Sequence, residues 1–210
     1  MNRGSLVSER AHVCIIDDDE AVREALRVLL FAEGYQSCQF ASADEFLALE
    51  SEPEVDVILL DIRMPGMDGM ELHKELIARK SKIPVIFITG HGDIPLAVAA
   101  IQRGAFDFLT KPFENGELME KIDAAIQRYR ETREALEELE ELQGRYSSLT
   151  ARETDVMMKI IAGYSNKKVA NTLNISPRTV EIHRSRVMEK MGADSVAVLV
   201  RMAGALGIES

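Results

Sequence analysis

Residues Val55 to Gly69 read VDVILLDIRMPGMDG: an apolar run that ends on one carboxylate, Asp61, and passes at once into a segment holding Pro65, Gly66 and Gly69. A short apolar run bounded by turn residues has the length and character of a strand buried on both faces, as in a parallel sheet. Asp61 then stands at the tip of a rigid element. The proline and glycines shape a loop that keeps neighbouring side chains off its carboxylate.

The same pattern recurs along the first 130 residues. Strands are predicted at 12–16, 36–40, 55–60, 84–89 and 106–110, separated by amphipathic helices at 20–33, 43–50, 69–79, 94–103 and 115–130. Five strand–helix units in a row predict a parallel sheet wound on both faces by helices. Hydrophobic residues form 46% and charged residues 29% of the chain, enough apolar material for a real core. No apolar run approaches the roughly 18 residues of a membrane helix, and MNRGSLVSERAH lacks the apolar centre of a signal peptide, so the expected compartment is the cytoplasm, with no membrane partner. Cys14 and Cys38 fall in strand-like segments and are expected as reduced thiols.

The net charge of −10 is unevenly placed. The segment from Gly144 onward carries four more basic than acidic residues, whereas the first 143 carry fourteen more acidic ones. A basic tail on an acidic body points to a polyanionic partner for the tail. Between them lies ETREALEELEELQ, residues 131–143, with six acids and no helix breaker. It is expected to continue the preceding helix as a linker that Gly144 ends. Seven-residue spacings, Ile122, Tyr129 and Leu136 among them, leave a short coiled coil open beside a solvated helix.

The tail is helical throughout in pattern. Thr150 and Glu153 form a capping box and Gly163 closes that helix; residues 166–173 form a short second one. Ser176 caps the third, with Pro177 at its first position and Gly192 after Met191, and a fourth is expected over 194–206. Short helix, turn and longer helix make a helix-turn-helix. Centring Val180 on the inward face brings Val187 and Met191 beside it and turns Arg178, Ile182, Ser185 and Glu189 outward, flanked by Thr179, Glu181 and Arg186. An exposed Ile182 among polar groups suits the major groove, where apolar side chains meet thymine methyls and polar ones meet base edges. Lys167, Lys168, Arg178 and Arg186 are candidate phosphate contacts. Arg184 falls too near the inward face for a charge, so its stem snorkels or the phase is off by a residue. His183 is read as a satisfied structural histidine.

Ligands of open parallel sheets bind at the carboxyl ends of the strands. Those ends carry Asp17, Asp18 and Asp19, then Asp61, Thr89 and Lys111. Crowded carboxylates favour a hard divalent cation such as Mg²⁺, and a hydroxyl and an ammonium beside them can stabilise a phosphoryl group passed to a carboxylate.

IIDDDE, LLDIRMPGMDG, FITGHGD and FLTKPF together resemble the receiver domain of two-component response regulators over residues 11–130. The resemblance implies a flavodoxin-like fold with Asp61 as phosphoacceptor and Mg²⁺ held by Asp17, Asp18, Asp61 and the backbone carbonyl of Arg63. Thr89 then binds a phosphoryl oxygen, Lys111 pairs with it, and Phe108 is the aromatic that swings into space opened behind Thr89; its alternative role is a permanent core ring. Arg63 and His91 flank the phosphoryl group, and the bond before Pro112 is expected to be cis. LTARE, GYSNKKVA and SPRTVEIH resemble the LuxR-type DNA-binding domain, in the subfamily of FixJ and NarL, over residues 146–208.

The architecture expected is therefore an α/β receiver domain (11–130), a helical linker (131–145) and a small all-α four-helix DNA-binding domain (146–208). The implied partners are a sensor histidine kinase, promoter DNA, a second copy of the phosphorylated chain, and RNA polymerase. Phosphorylation of Asp61 is expected to drive dimerisation through the fourth helix, fifth strand and fifth helix. Enzymatic activity is expected to stop at self-phosphorylation and slow autodephosphorylation. Two other classes stay open at this point: a phosphatase using the same Asp, Mg²⁺ and Lys set, and a signalling adaptor whose tail binds protein or RNA.

Overall fold

In a computed structural model, which describes residues 11–51, 53–90 and 94–208, the order of elements is β1 (His12–Ile16), α1 (Glu20–Ala32), β2 (Gln36–Phe40), α2 (Ala43–Leu47), β3 (Val57–Asp61), α3 (Gly69–Ala78), β4 (Val85–Thr89), α4 (Ile94–Gln102), β5 (Asp107–Thr110) and α5 (Asn115–Ser147), followed by α6 (Ala151–Ile161), α7 (Asn166–Leu173), α8 (Pro177–Met191) and α9 (Val196–Ala205). The chain divides into two compact units, Met1–Thr132 and Arg133–Ser210. Among the described residues the first unit holds a parallel sheet of five strands in the order β2-β1-β3-β4-β5, and the second is helical.

Alternation along the strands sorts side chains onto two faces. Cys14, Ile16, Ile58, Leu60 and Phe87 pack with Phe46 of α2, Leu72 and Leu76 of α3 and Ala97 and Ala100 of α4. Val13, Ile15, Val57, Leu59, Ile86, Ile88 and Leu109 pack with Leu26 and Leu30 of α1 and Leu118, Ile122, Ala125 and Ile126 of α5. With both faces covered, β3 and β4 are buried along their whole length. The strand order reverses between β1 and β3, and the carboxyl ends of these two strands meet at Asp17 and Asp61. Cys14 and Cys38 are free thiols and register partners on β1 and β2.

Local signals decide the helix ends. Asp19 caps α1, Ser42 caps α2, and Asp68 with Glu71 forms a capping box on α3. In the second unit the Thr150–Glu153 box opens α6, Ser165 caps α7, and Ser176 with Pro177 opens α8. Gly163 and Gly192 take positive φ just past α6 and α8. Several expectations need correction. The strand expected at 55–60 is Val57–Asp61, and the helix expected at 43–50 ends at Leu47, with Ala48 as its C-cap. The fourth tail helix begins two residues after Asp194, at Val196, because the Ser195 hydroxyl accepts from the Val198 N–H and caps α9. Gly144 does not end α5: the helix runs on to Ser147, where Leu142 and Tyr146 pack on the core of the second unit and an Arg145 Nη donates to the Met191 carbonyl at 3.2 Å. Those contacts offset the roughly 1 kcal/mol cost of a glycine inside a helix.

Candidate phosphoryl and DNA sites

Asp17 and Asp61 are 2% and 8% exposed at the tips of β1 and β3, and one ammonium reaches both. Lys111 Nζ donates to Asp61 Oδ1 at 2.8 Å and to Asp17 Oδ2 at 2.9 Å. The backbone fixes the other oxygens: the Arg63 N–H donates to Asp61 Oδ2 at 2.6 Å and the Asp19 N–H to Asp17 Oδ1 at 2.9 Å. Each carboxylate is thus aimed rather than free to rotate. Lys111 is itself positioned by its own N–H, which donates to the Thr89 carbonyl at 2.7 Å, and the Lys111–Pro112 peptide is cis.

Burial pushes the Asp61 carboxyl above the usual aspartate range, the Lys111 hydrogen bond opposing it and the Asp17 charge adding to it. For Lys111, burial works against the charged form, yet its bonds to Asp61 and Asp17 hold the pKa above the usual lysine value. One cation between two carboxylates leaves the cluster with net negative charge.

Of the other residues read from the sequence, Thr89 is buried beside this trio, and its hydroxyl donates to the Gly90 carbonyl at 3.1 Å. Asp18 is exposed at the mouth. Phe108 is half-buried, pairs in register with Phe87, and packs against the core on the α3 and α4 side of the sheet. His91 lies outside the described residues. Gly69 is required by geometry: a β-carbon there would lie 2.1 Å from the Asp61 carbonyl oxygen.

On α8 the expected phase is observed. Val180, Val187 and Met191 are buried; Arg178, Glu181, Ile182, Ser185, Arg186 and Glu189 are exposed, and Thr179 is half-buried with its hydroxyl on that of Ser176 at 2.8 Å. Ile182 is 48% exposed. Arg184 snorkels, its guanidinium reaching Asn166 Oδ1 at 3.3 Å. His183 is corrected: its Nδ1 is buried and has no hydrogen-bond partner among the described residues. Lys167 and Lys168 are exposed on α7. The sequence reading missed Tyr164, whose ring lies 3.6 Å beneath Lys168 Nζ; the four-residue spacing to Lys168 was the available signal.

Residues 13–123 match the model of the response regulator receiver domain, and residues 147–203 match that of the bacterial regulatory proteins of the luxR family. The transcriptional regulatory protein FixJ of Bradyrhizobium diazoefficiens is 41% identical over 202 residues, covering 96% of this chain and 98% of its own length. The chain belongs to the FixJ-type two-component response regulators. The response regulator protein TodT of Pseudomonas putida is 43% identical over 197 residues, covering 93% of this chain and 87% of TodT. Among solved structures, the response regulator StyR shares 42% identity at a TM-score of 0.87, covering 93% of this chain and 98% of StyR. Full-length FixJ from B. japonicum shares 40% identity at a TM-score of 0.58, covering 97% of this chain and all of that one.

As a FixJ-type response regulator the protein is a transcriptional regulator, and its two domains imply a kinase and DNA as partners. No helix among the described residues is long and apolar enough to cross a membrane. Receiver domains generally use Mg²⁺ for phosphorylation. Among the described residues no three His, Cys, Asp or Glu side chains converge as a closed metal cage. Mg²⁺ requires none, since it keeps several waters and takes one or two carboxylates. Two aimed, nearly buried carboxylates with Asp18 at the mouth fit that partly hydrated mode.

Proposed function

We propose that Asp61 is the phosphoacceptor of this regulator and that a sensor histidine kinase supplies the phosphoryl group, in the cytoplasm. The observation that carries the reading is the Lys111 ammonium shared between Asp17 and Asp61 at the point where strand order reverses. Asp61 Oδ1 attacks phosphorus in line, the bond to the donor breaks, and an acyl phosphate forms. Asp17, Asp18, Asp61 and the Arg63 carbonyl would hold Mg²⁺. When bound, the ion neutralises charge on the transferring oxygens.

The rest is the work of the chain's own groups. Phosphorylation replaces one negative charge with a dianion, so Lys111 gains a stronger partner and the Thr89 hydroxyl, which donates to a backbone carbonyl in the unphosphorylated chain, turns to a phosphoryl oxygen. Phe108 then moves into the space behind Thr89. The changed surface of α4, β5 and α5 favours pairing of two chains, so that two α8 helices reach two half-sites. Arg178, Thr179, Glu181, Ile182, Ser185 and Arg186 face DNA, with Lys167 and Lys168 on phosphates and RNA polymerase recruited at the promoter. The functional divisions follow as 11–130, 131–145 and 146–208. Self-phosphorylation from small donors and slow autodephosphorylation are the chemistry the chain performs unaided.

Acetyl phosphate with Mg²⁺ tests this directly. Intact mass should rise by one phosphoryl group in the wild type and stay unchanged in Asp61→Ala; phosphate uptake by that variant would remove the assignment.

A further inference from the structure

At the amino edge of the sheet, opposite the phosphoryl site, a cavity of 610 Å³ opens between the end of α3, the starts of β4 and β5, and residues 120–132 of α5. Its volume is that of small-molecule sites. The walls mix aliphatic with polar and charged side chains, and Leu76, Ile83 and Val85 form a buried apolar base. Beside that base lies His73, 4% exposed and with no hydrogen-bond partner among the described residues, its ring packed edge-on against Phe87 at 5.5 Å between centroids. The His73 ring nitrogens are not sealed from solvent, so a ring N–H is open to the cavity.

Charge at the rim narrows the ligand. Lys121 is paired with Asp107 at 2.6 Å, while Lys82 and Arg128 form no ion pair among the described residues. Those two free cations face one remaining acid, Glu120. Burial, with the nearby Arg103 charge, holds His73 toward its neutral form, which keeps one N–H for donation.

We propose that this cavity binds a small amphipathic carboxylate, its apolar body over Leu76, Ile83 and Val85, one oxygen accepting from the His73 ring N–H and the charge answered by Lys82 and Arg128. The site is separate from the Asp61 chemistry and does not depend on it.

The full-length protein and the dye anilinonaphthalene sulfonate test this, with octanoate as the carboxylate competitor. The dye should bind once per chain, octanoate should displace it, and both should shift the His73 ring resonances. Ala124 is exposed at the mouth, so Ala124→Trp should block entry without disturbing the core. That variant and Arg128→Glu should each weaken dye binding by about tenfold or more, with thermal unfolding as cooperative as in the wild type. Dye binding unchanged in both folded variants, failure of octanoate to compete, or an unmoved His73 signal would each overturn the proposal.

Discussion

The Asp61 carbonyl oxygen and the Cα of Gly69 approach so closely that a β-carbon on residue 69 would lie 2.1 Å from that oxygen, and the Gly69 N–H donates to the Ile62 carbonyl at 3.0 Å. The loop after β3 is therefore folded back onto the strand tip that bears the carboxylate. Gly69→Ala must push the α3 N-terminus away from Asp61, at a cost of about 1–3 kcal/mol for overpacking. Urea unfolding should show this loss, and phosphorylation by acetyl phosphate should slow in the variant that remains folded.

Lys111→Met leaves Asp17 and Asp61 facing each other without their cation. Lys111 is 31% exposed, so solvent softens the penalty to about 1–3 kcal/mol at neutral pH. The sign with pH follows from Asp61. Its carboxyl is already raised by burial, and losing the Lys111 bond raises it further. A raised folded-state pKa gives stability that is present at low pH and lost as pH rises through it. The deficit of Lys111→Met against wild type should shrink as pH falls toward about 4 and grow toward 7. A deficit independent of pH would mean the lysine acts by packing alone.

Much of this arrangement was legible in the sequence because the sheet's geometry does the gathering. Once VDVILL is a central parallel strand, Asp61 must stand at its carboxyl end, beside the end of the strand that carries Asp17. Capping boxes at Asp68 and Thr150 and the phase of α8 were readable for the same reason: each depends on residues three or four apart. Long-range effects were hidden. Gly144 signals a helix end locally, and Leu142, Arg145 and Tyr146 overrule it through contacts with a core some 45 residues away. Likewise nothing near His73 in sequence says that Lys82 and Arg128 will share its cavity.

In the second unit, Glu153 is held by Lys190 Nζ at 2.7 Å and by the Thr150 N–H at 2.9 Å. These bonds hold its carboxyl down at about 2. A depressed carboxyl stabilises above its unfolded value of about 4.3, and that stability is lost as pH falls through the folded value. Protection of the α6 and α8 amides, taken relative to the intrinsic exchange rate at each pH, should therefore fall between about pH 4.3 and pH 2. Glu153→Gln should remove that pH dependence and be less stable at pH 7 than the wild type.

Lys168 and Tyr164 separate charge from positioning at the DNA face. With its ammonium 3.6 Å above the Tyr164 ring, Lys168 is held in one place on the surface of α7. If it contacts a phosphate, Lys168→Ala should lower the slope of log affinity against log salt on a promoter fragment by about 0.9. Tyr164→Leu keeps the charge and releases it, so the slope should stay while affinity falls by about 0.5–1 kcal/mol. Ile182→Ala should instead weaken binding to the promoter fragment more than to random duplex, because an apolar contact to a thymine methyl carries sequence information that phosphate contacts lack. Equal loss on both duplexes would place Ile182 outside the groove.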